Sequence, residues 1–139
     1  MDWDAYLAEE YVPVAEERVA IYRRMAGMER LTDLEELREE LKDRFGVLPE
    51  PARNLLAIVD LRLRGQVAGV EKILLREGLL HLVFRKGLTP EKVKALVEGV
   101  KQPLEFVSTT KESGVRVKLI SGKEAEGAKD VLRAIGGPA

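Results

Sequence analysis

Apolar residues follow two rhythms along this chain. Up to residue 66 they recur every three or four positions; beyond Gly69 they alternate with polar ones. The first rhythm predicts three helices. The first covers Pro13 to Met25, with Val14, Ile21, Tyr22, Met25 and Met28 as its apolar stripe and Gly27 as its end. Pro13 suits a first turn, where its missing N–H is not needed. The second is expected to start at Thr32, with Glu35 three residues on completing a capping box. Leu34, Leu37, Leu41 and Phe45 form its buried stripe, Gly46 is expected as a left-handed C′ residue, and Pro49 stops it. The third runs from Pro51 to Gln66, with Ala52, Leu55, Leu56, Val59 and Leu63 on one face and Ile58 and Leu61 on another. A helix apolar on two sides belongs at the centre of its fold.

The second rhythm predicts strands. Ile73–Arg76 and Leu79–Phe84 flank Glu77-Gly78, a two-residue hairpin signal. Thr89-Pro90 caps a helix carrying Val93, Leu96, Val97 and Val100. Leu104–Thr109 and Val115–Ile120 make a second hairpin, and Lys123–Ile135 a final helix that turns Ala128, Val131, Leu132 and Ile135 inward. Strand-strand-helix thus occurs twice, consistent with a four-stranded antiparallel sheet with helices on one face. The class is α+β: a helical lobe of three helices (13–66) packed on a small antiparallel sheet lobe (70–135), together one domain over 13–139. Residues 1–12, with Trp3, Tyr6 and Tyr11, read as an extended lead-in whose end is expected to fray.

Charge sharpens this picture. Net charge is −1, but residues 1–50 carry 14 acidic and 7 basic side chains, whereas residues 51–139 carry 10 and 16. A chain this dipolar suits a protein or intramolecular partner better than bulk nucleic-acid binding. The absence of cysteine excludes disulfides and thiolate chemistry. With no apolar run long enough to span a bilayer and no signal-peptide pattern, a cytoplasmic location is expected.

Site chemistry is sparse. The single histidine, His81, lies between Leu80 and Leu82 on a strand with no second ligand in sight, so a structural role is expected and no metal site. Neither a phosphate loop nor a dinucleotide fingerprint occurs, and no cofactor and no catalysis are expected. Arg62, Arg64, Arg85, Lys86, Lys92, Lys94 and Lys101 could contact phosphate, which leaves a nucleic-acid-binding module built on the basic C-terminal half as the alternative reading; few aromatic residues accompany them.

The segment Glu39 to Pro49 is the most informative. On a helical wheel of about 100° per residue, Glu36, Glu40 and Asp43 cluster opposite Leu34, Leu37 and Leu41, with Glu39 beside them. Glu35/Glu39, Glu36/Glu40 and Glu39/Asp43 are like-charge pairs four residues apart, each costing roughly 0.2–0.5 kcal/mol in an isolated helix. Asp43 also sits in the last turn, where the helix dipole disfavours an anion. Glu40 can reach Arg44, Glu35 can reach Arg38 and Glu39 can reach Lys42, a partial compensation. The rest reads as a stripe open to an external cation, arginine above all because its fork fits carboxylates.

At these residues the chain resembles the C-terminal domain of the bacterial transcription-repair coupling factor family. Tyr11-Val12 and Arg18-Val19-Ala20-Ile21-Tyr22-Arg23-Arg24 are similar to the family's lead-in and first helix. Glu39-Glu40-Leu41-Lys42-Asp43-Arg44-Phe45-Gly46 with Leu48-Pro49 is similar to its E-L-x-D-R-F-G-x-x-P signature. Ala8 and Val19 depart from the common proline and leucine. The resemblance implies a non-catalytic regulatory domain of an ATP-driven DNA translocase, in which ATP is used by the parent protein and not bound here. It implies docking on the N-terminal UvrB-like module of the same polypeptide, masking the face recognised by UvrA until RNA polymerase is engaged. Two acidic residues of the signature helix meet arginines of that module in the family; they map onto Glu40 and Asp43, and Glu36 is a peripheral candidate.

Overall fold

The first helix begins at Ala15 with Val14 as its N-cap, so Pro13 precedes the helix instead of lying in its first turn. The structure, a computed structural model, describes residues 4–136 apart from the side chain of Ala125. In it α1 spans Ala15–Ala26, α2 Leu31–Phe45 and α3 Glu50–Val67; β1 Val70–Arg76 and β2 Leu79–Phe84 follow, then α4 Pro90–Gly99, β3 Leu104–Ser108, β4 Ser113–Lys118 and α5 Glu124–Ala134. The class is α+β, as the two rhythms predict. The described residues divide into two compact units, one up to Leu63 and a second from Arg64 onward.

The helical unit is organised by leucine. Leu34, Leu37 and Leu41 of α2 are fully buried, and Ile21, Met25, Met28, Leu48, Ala52, Leu56, Val59 and Leu63 join them in one cluster. Each fully buried leucine contributes about 1.5–3 kcal/mol. The buried stripe of the first helix is narrower than expected: Val14 and Tyr22 remain partly exposed, at 47% and 38%. Arg18 takes the inner position between them and donates to the carbonyls of Val12 (2.7 Å) and Pro13 (3.2 Å).

Three local expectations are corrected. There is no capping box at Thr32: the N-cap of α2 is Arg30, two residues earlier, and its side chain makes no cap hydrogen bond. Starting at Leu31 turns that side chain onto the core cluster. Asp33 occupies the first turn instead, paired with Arg30 at 3.1 Å. Gly46 is not left-handed α: its φ of 87° and ψ of −164° lie in a region open essentially to glycine alone. The lead-in is tied down from Asp4 onward; Trp3 lies outside the described residues. Leu7 is buried and its N–H donates to the Tyr22 hydroxyl (2.8 Å). The Tyr6 N–H donates to Pro51 (3.2 Å), and Asn54 donates to the Asp4 carbonyl (3.0 Å).

In the second unit the sheet order is β1-β2-β4-β3 and every pairing is antiparallel. The two hairpins join through their second strands, β2 against β4, which matches the strand-strand-helix repeat. Glu77 (φ 51°) and Gly78 (φ 77°) form the first turn, the mirror-image geometry that follows the strand twist. One face stacks Leu75, Leu80 and Val117 in one row and Ile73, Leu82 and Val115 in the next. A Cβ on Gly114 would overlap the Leu82 carbonyl oxygen, so β2 and β4 require glycine there. Thr89 caps α4 by accepting from the Lys92 N–H at 3.2 Å, with Pro90 in the first turn.

Candidate docking face on the second helix

The core leucines of α2 fix which way its carboxylates point. With Leu34, Leu37 and Leu41 buried, the helical repeat turns Glu35, Glu36, Glu39, Glu40, Asp43 and Arg44 outward, where they line one open depression. The stripe is not uniformly free, however. Glu40 Oε2 accepts from Arg24 Nη1 of α1 at 2.9 Å and lies 3.8 Å from Arg44 Nη1. The other Arg44 nitrogen reaches Glu17 Oε2 at 3.2 Å. Arg24, Glu40, Arg44 and Glu17 thus alternate in sign across α1 and α2. The expectation of a bare stripe is corrected at Glu40, which meets two cations of its own domain.

The remaining carboxylates differ in kind. Glu35 is held by Arg38 at 3.4 Å and Glu39 by Lys42 at 3.7 Å, both within reach of one helical turn. Asp43 and Glu36 are exposed, and neither side chain makes a hydrogen bond or ion pair among the described residues. Glu36 also borders a neighbouring depression with Arg24, Gly27, Met28 and Asp33. Asp33 is held below the usual carboxylate range by its hydrogen bond from Arg30. Two uncompensated anions therefore flank one compensated anion.

The C-terminal turn of α2 is braced from outside the helix. The Tyr11 hydroxyl lies 2.9 Å from the Gly46 carbonyl and 3.2 Å from that of Leu41, so its one proton is shared between them. Its ring packs against Phe45 with centroids 5.7 Å apart, and the Arg44 guanidinium sits 4.8 Å above the Phe45 ring. Arg53 donates to the Leu48 carbonyl at 2.8 Å. Phe45, Leu48 and Tyr11 thereby set the direction in which the last turn presents Asp43. The roles of Glu17, Arg24 and Tyr11 at this face escaped the sequence reading, since each acts on α2 from another part of the chain.

The other candidates are placed as follows. Arg62 donates to the Met25 carbonyl at 2.7 Å, a structural role. Lys92 lies 4.9 Å over the Phe84 ring. Arg85, Lys86, Lys94 and Lys101 are exposed. His81 sits in a cross-strand row with Leu74, Arg116 and Glu105, and its Nε2 is buried without a hydrogen-bond partner. Among the described residues no group of three or more His, Asp or Glu side chains is placed to hold a metal, and no helix is long and apolar enough to cross a membrane.

The family model for the TRCF domain matches residues 1–95, which contain the whole of this face. The chain belongs to the TRCF domain family. It is 31% identical over 126 residues to the transcription-repair-coupling factor of Escherichia coli, covering 82% of this chain and 11% of that protein. To the Haemophilus influenzae factor it is 33% identical over 104 residues, covering 73% of this chain and 9% of that protein. The chain thus spans about a tenth of the length of these curated relatives. A solved C-terminal domain of transcription-repair coupling factor superposes with a TM-score of 0.82 at 21% identity, over 97% of this chain and 88% of that one, which shows a shared fold. In this TRCF domain the fold similarity extends through the sheet unit beyond residue 95.

Proposed function

We propose that this TRCF domain is a non-catalytic, autoinhibitory interaction domain of a transcription-repair coupling translocase. The outer face of α2 docks on the N-terminal UvrB-like module of the same polypeptide. While docked, it masks the surface that UvrA recognises; engagement of RNA polymerase releases it. One observation carries this reading. Asp43 and Glu36 project from a leucine-anchored helix and make no side-chain hydrogen bond or ion pair among the described residues, although arginine or lysine at either site would relieve the like-charge neighbours. An arginine-bearing surface supplies the missing charge.

Salt dependence tests the reading. With donor and acceptor dyes on this domain and on the UvrB-like module of the parent polypeptide, energy transfer reports docking. Partly exposed ion pairs weaken as the Debye length falls from about 10 Å at 0.1 M to about 3 Å at 1 M salt. Transfer is expected to fall steadily across that range. A docked fraction independent of salt contradicts an electrostatic latch. Retention of the domain on duplex DNA at low salt, lost steeply as salt rises, supports the nucleic-acid alternative instead.

A further inference from the structure

We propose that Arg24 is a built-in competitor that sets how tightly the docking face holds its partner. This rests on the docking reading above and adds a residue to it. The geometry is specific. Arg24 Nη1 lies 2.9 Å from Glu40 Oε2, the shortest ion-pair distance on this face, and it comes from a different helix, 16 residues away in sequence. The same oxygen faces Arg44 at 3.8 Å. Both partners of the Arg24–Glu40 pair are partly exposed, at 41% and 40% of their side-chain surface. An incoming guanidinium can therefore reach Glu40, and it meets an anion already neutralised.

Two consequences follow from charge alone. A cationic partner engages Asp43 and Glu36 first, because these carboxylates give up only water. Glu40 joins either by exchanging Arg24 for the partner's guanidinium or by accepting it on the other carboxylate oxygen against the repulsion of Arg24, so its contribution is reduced by the cation already there. Exposed pairs of this type contribute modestly, so the balance between Arg24 and the partner at Glu40 is easily tilted. Arg24 then acts through Glu40 as a positioning residue, holding the face in a state that releases readily.

The test uses the dye-labelled parent polypeptide at a fixed salt concentration near the docking midpoint. Arg24→Gln removes the nearer cation from Glu40 and leaves only Arg44 at 3.8 Å; it is expected to raise the docked-to-open ratio by about 1.5- to 5-fold, the range for one exposed ion pair. A gain of docking is something structural damage does not produce. Arg23→Gln is the control: Arg23 is exposed, one residue away, with no side-chain partner among the described residues, and it changes net charge equally. Its effect is expected to be smaller. Asp43→Asn lowers the ratio, and Glu40→Gln lowers it more in the Arg24→Gln background than in wild type.

The outcomes separate the two claims. If Asp43→Asn weakens docking while Arg24→Gln leaves it unchanged, weaker, or no different from Arg23→Gln, the competitor role is wrong and the docking face stands. If Asp43→Asn and Glu40→Gln both leave docking unchanged, the docking face is wrong and the competitor role goes with it.

Discussion

Removing one oxygen atom from Tyr11 tests how the last turn of α2 is held. Tyr11→Phe keeps the ring that packs on Phe45 at 5.7 Å and deletes the hydroxyl that reaches the carbonyls of Gly46 (2.9 Å) and Leu41 (3.2 Å). The Gly46 contact is exposed, so water replaces it at small cost; the Leu41 contact is partly buried, and its loss is felt. A net hydrogen bond contributes about 0.5–1.5 kcal/mol, so a loss of about 1 kcal/mol is expected. With a urea slope of about 2 kcal/mol per molar, the unfolding midpoint drops by about 0.5 M. The transition is best followed by NMR through amides of α1, α2 and α3, because the chain has two compact units and a whole-chain signal would mix them. Tyr6→Phe is the control, its side chain being 48% exposed, and no shift is expected. A midpoint for Tyr11→Phe equal to wild type refutes the brace. Alkaline titration adds a second readout. Burial raises the Tyr11 phenol above the ordinary tyrosine value, so the fold favours its neutral form. That contribution is complete below the ordinary value of about 10 and is lost as pH rises through the higher folded value. Wild type is therefore expected to lose more stability above pH ~10 than Tyr11→Phe does.

Other substitutions follow from single features. Gly46→Ala puts a Cβ at φ 87°; no neighbour blocks it, so the strain alone is expected to cost about 1–3 kcal/mol by urea unfolding of the helical unit. Thr89→Ala removes the acceptor of the Lys92 N–H and is expected to cost about 1 kcal/mol in the sheet unit, read from hydrogen exchange along α4. Asp33 has its pKa lowered by the hydrogen bond from Arg30, so its contribution is present above the ordinary carboxylate value of about 3.9 and lost as pH falls through the lower folded value. Asp33→Asn should flatten that part of the acid unfolding profile.

Much of the architecture was written in local signals. Glu77-Gly78 predicts a hairpin because few dipeptides tolerate two positive φ values, and those angles are present. Thr89-Pro90 predicts a capped helix start because each residue does one thing there, and both do it. Thr32 misled for an instructive reason. A capping box offers hydrogen bonds worth about 1 kcal/mol at a solvated end, whereas beginning at Leu31 adds an apolar side chain to the core. Packing overrode the cap. The face on α2 was legible in outline, since the three buried leucines dictate where Glu36, Glu40 and Asp43 point. Its electrostatics were not. The pairs of Glu35 with Arg38, Glu39 with Lys42 and Glu40 with Arg44 lie within one helical turn and could be named from spacing. Arg24 and Glu17 come from another helix, and only the crossing of α1 with α2 brings them to Glu40 and Arg44. That crossing separates Glu40, already paired, from Asp43 and Glu36, still open.

The central claim is that these open carboxylates hold the parent translocase closed. The most direct measurement is made in the parent polypeptide carrying Asp43→Arg with Glu36→Arg, which reverses both free anions and leaves the Arg24–Glu40–Arg44–Glu17 chain untouched. Binding to UvrA and basal ATP turnover are compared with wild type, with circular dichroism of the isolated double variant as the check on folding. The account predicts that both rise while the helical signal is kept. Both unchanged, in a protein whose domain is folded, would contradict it.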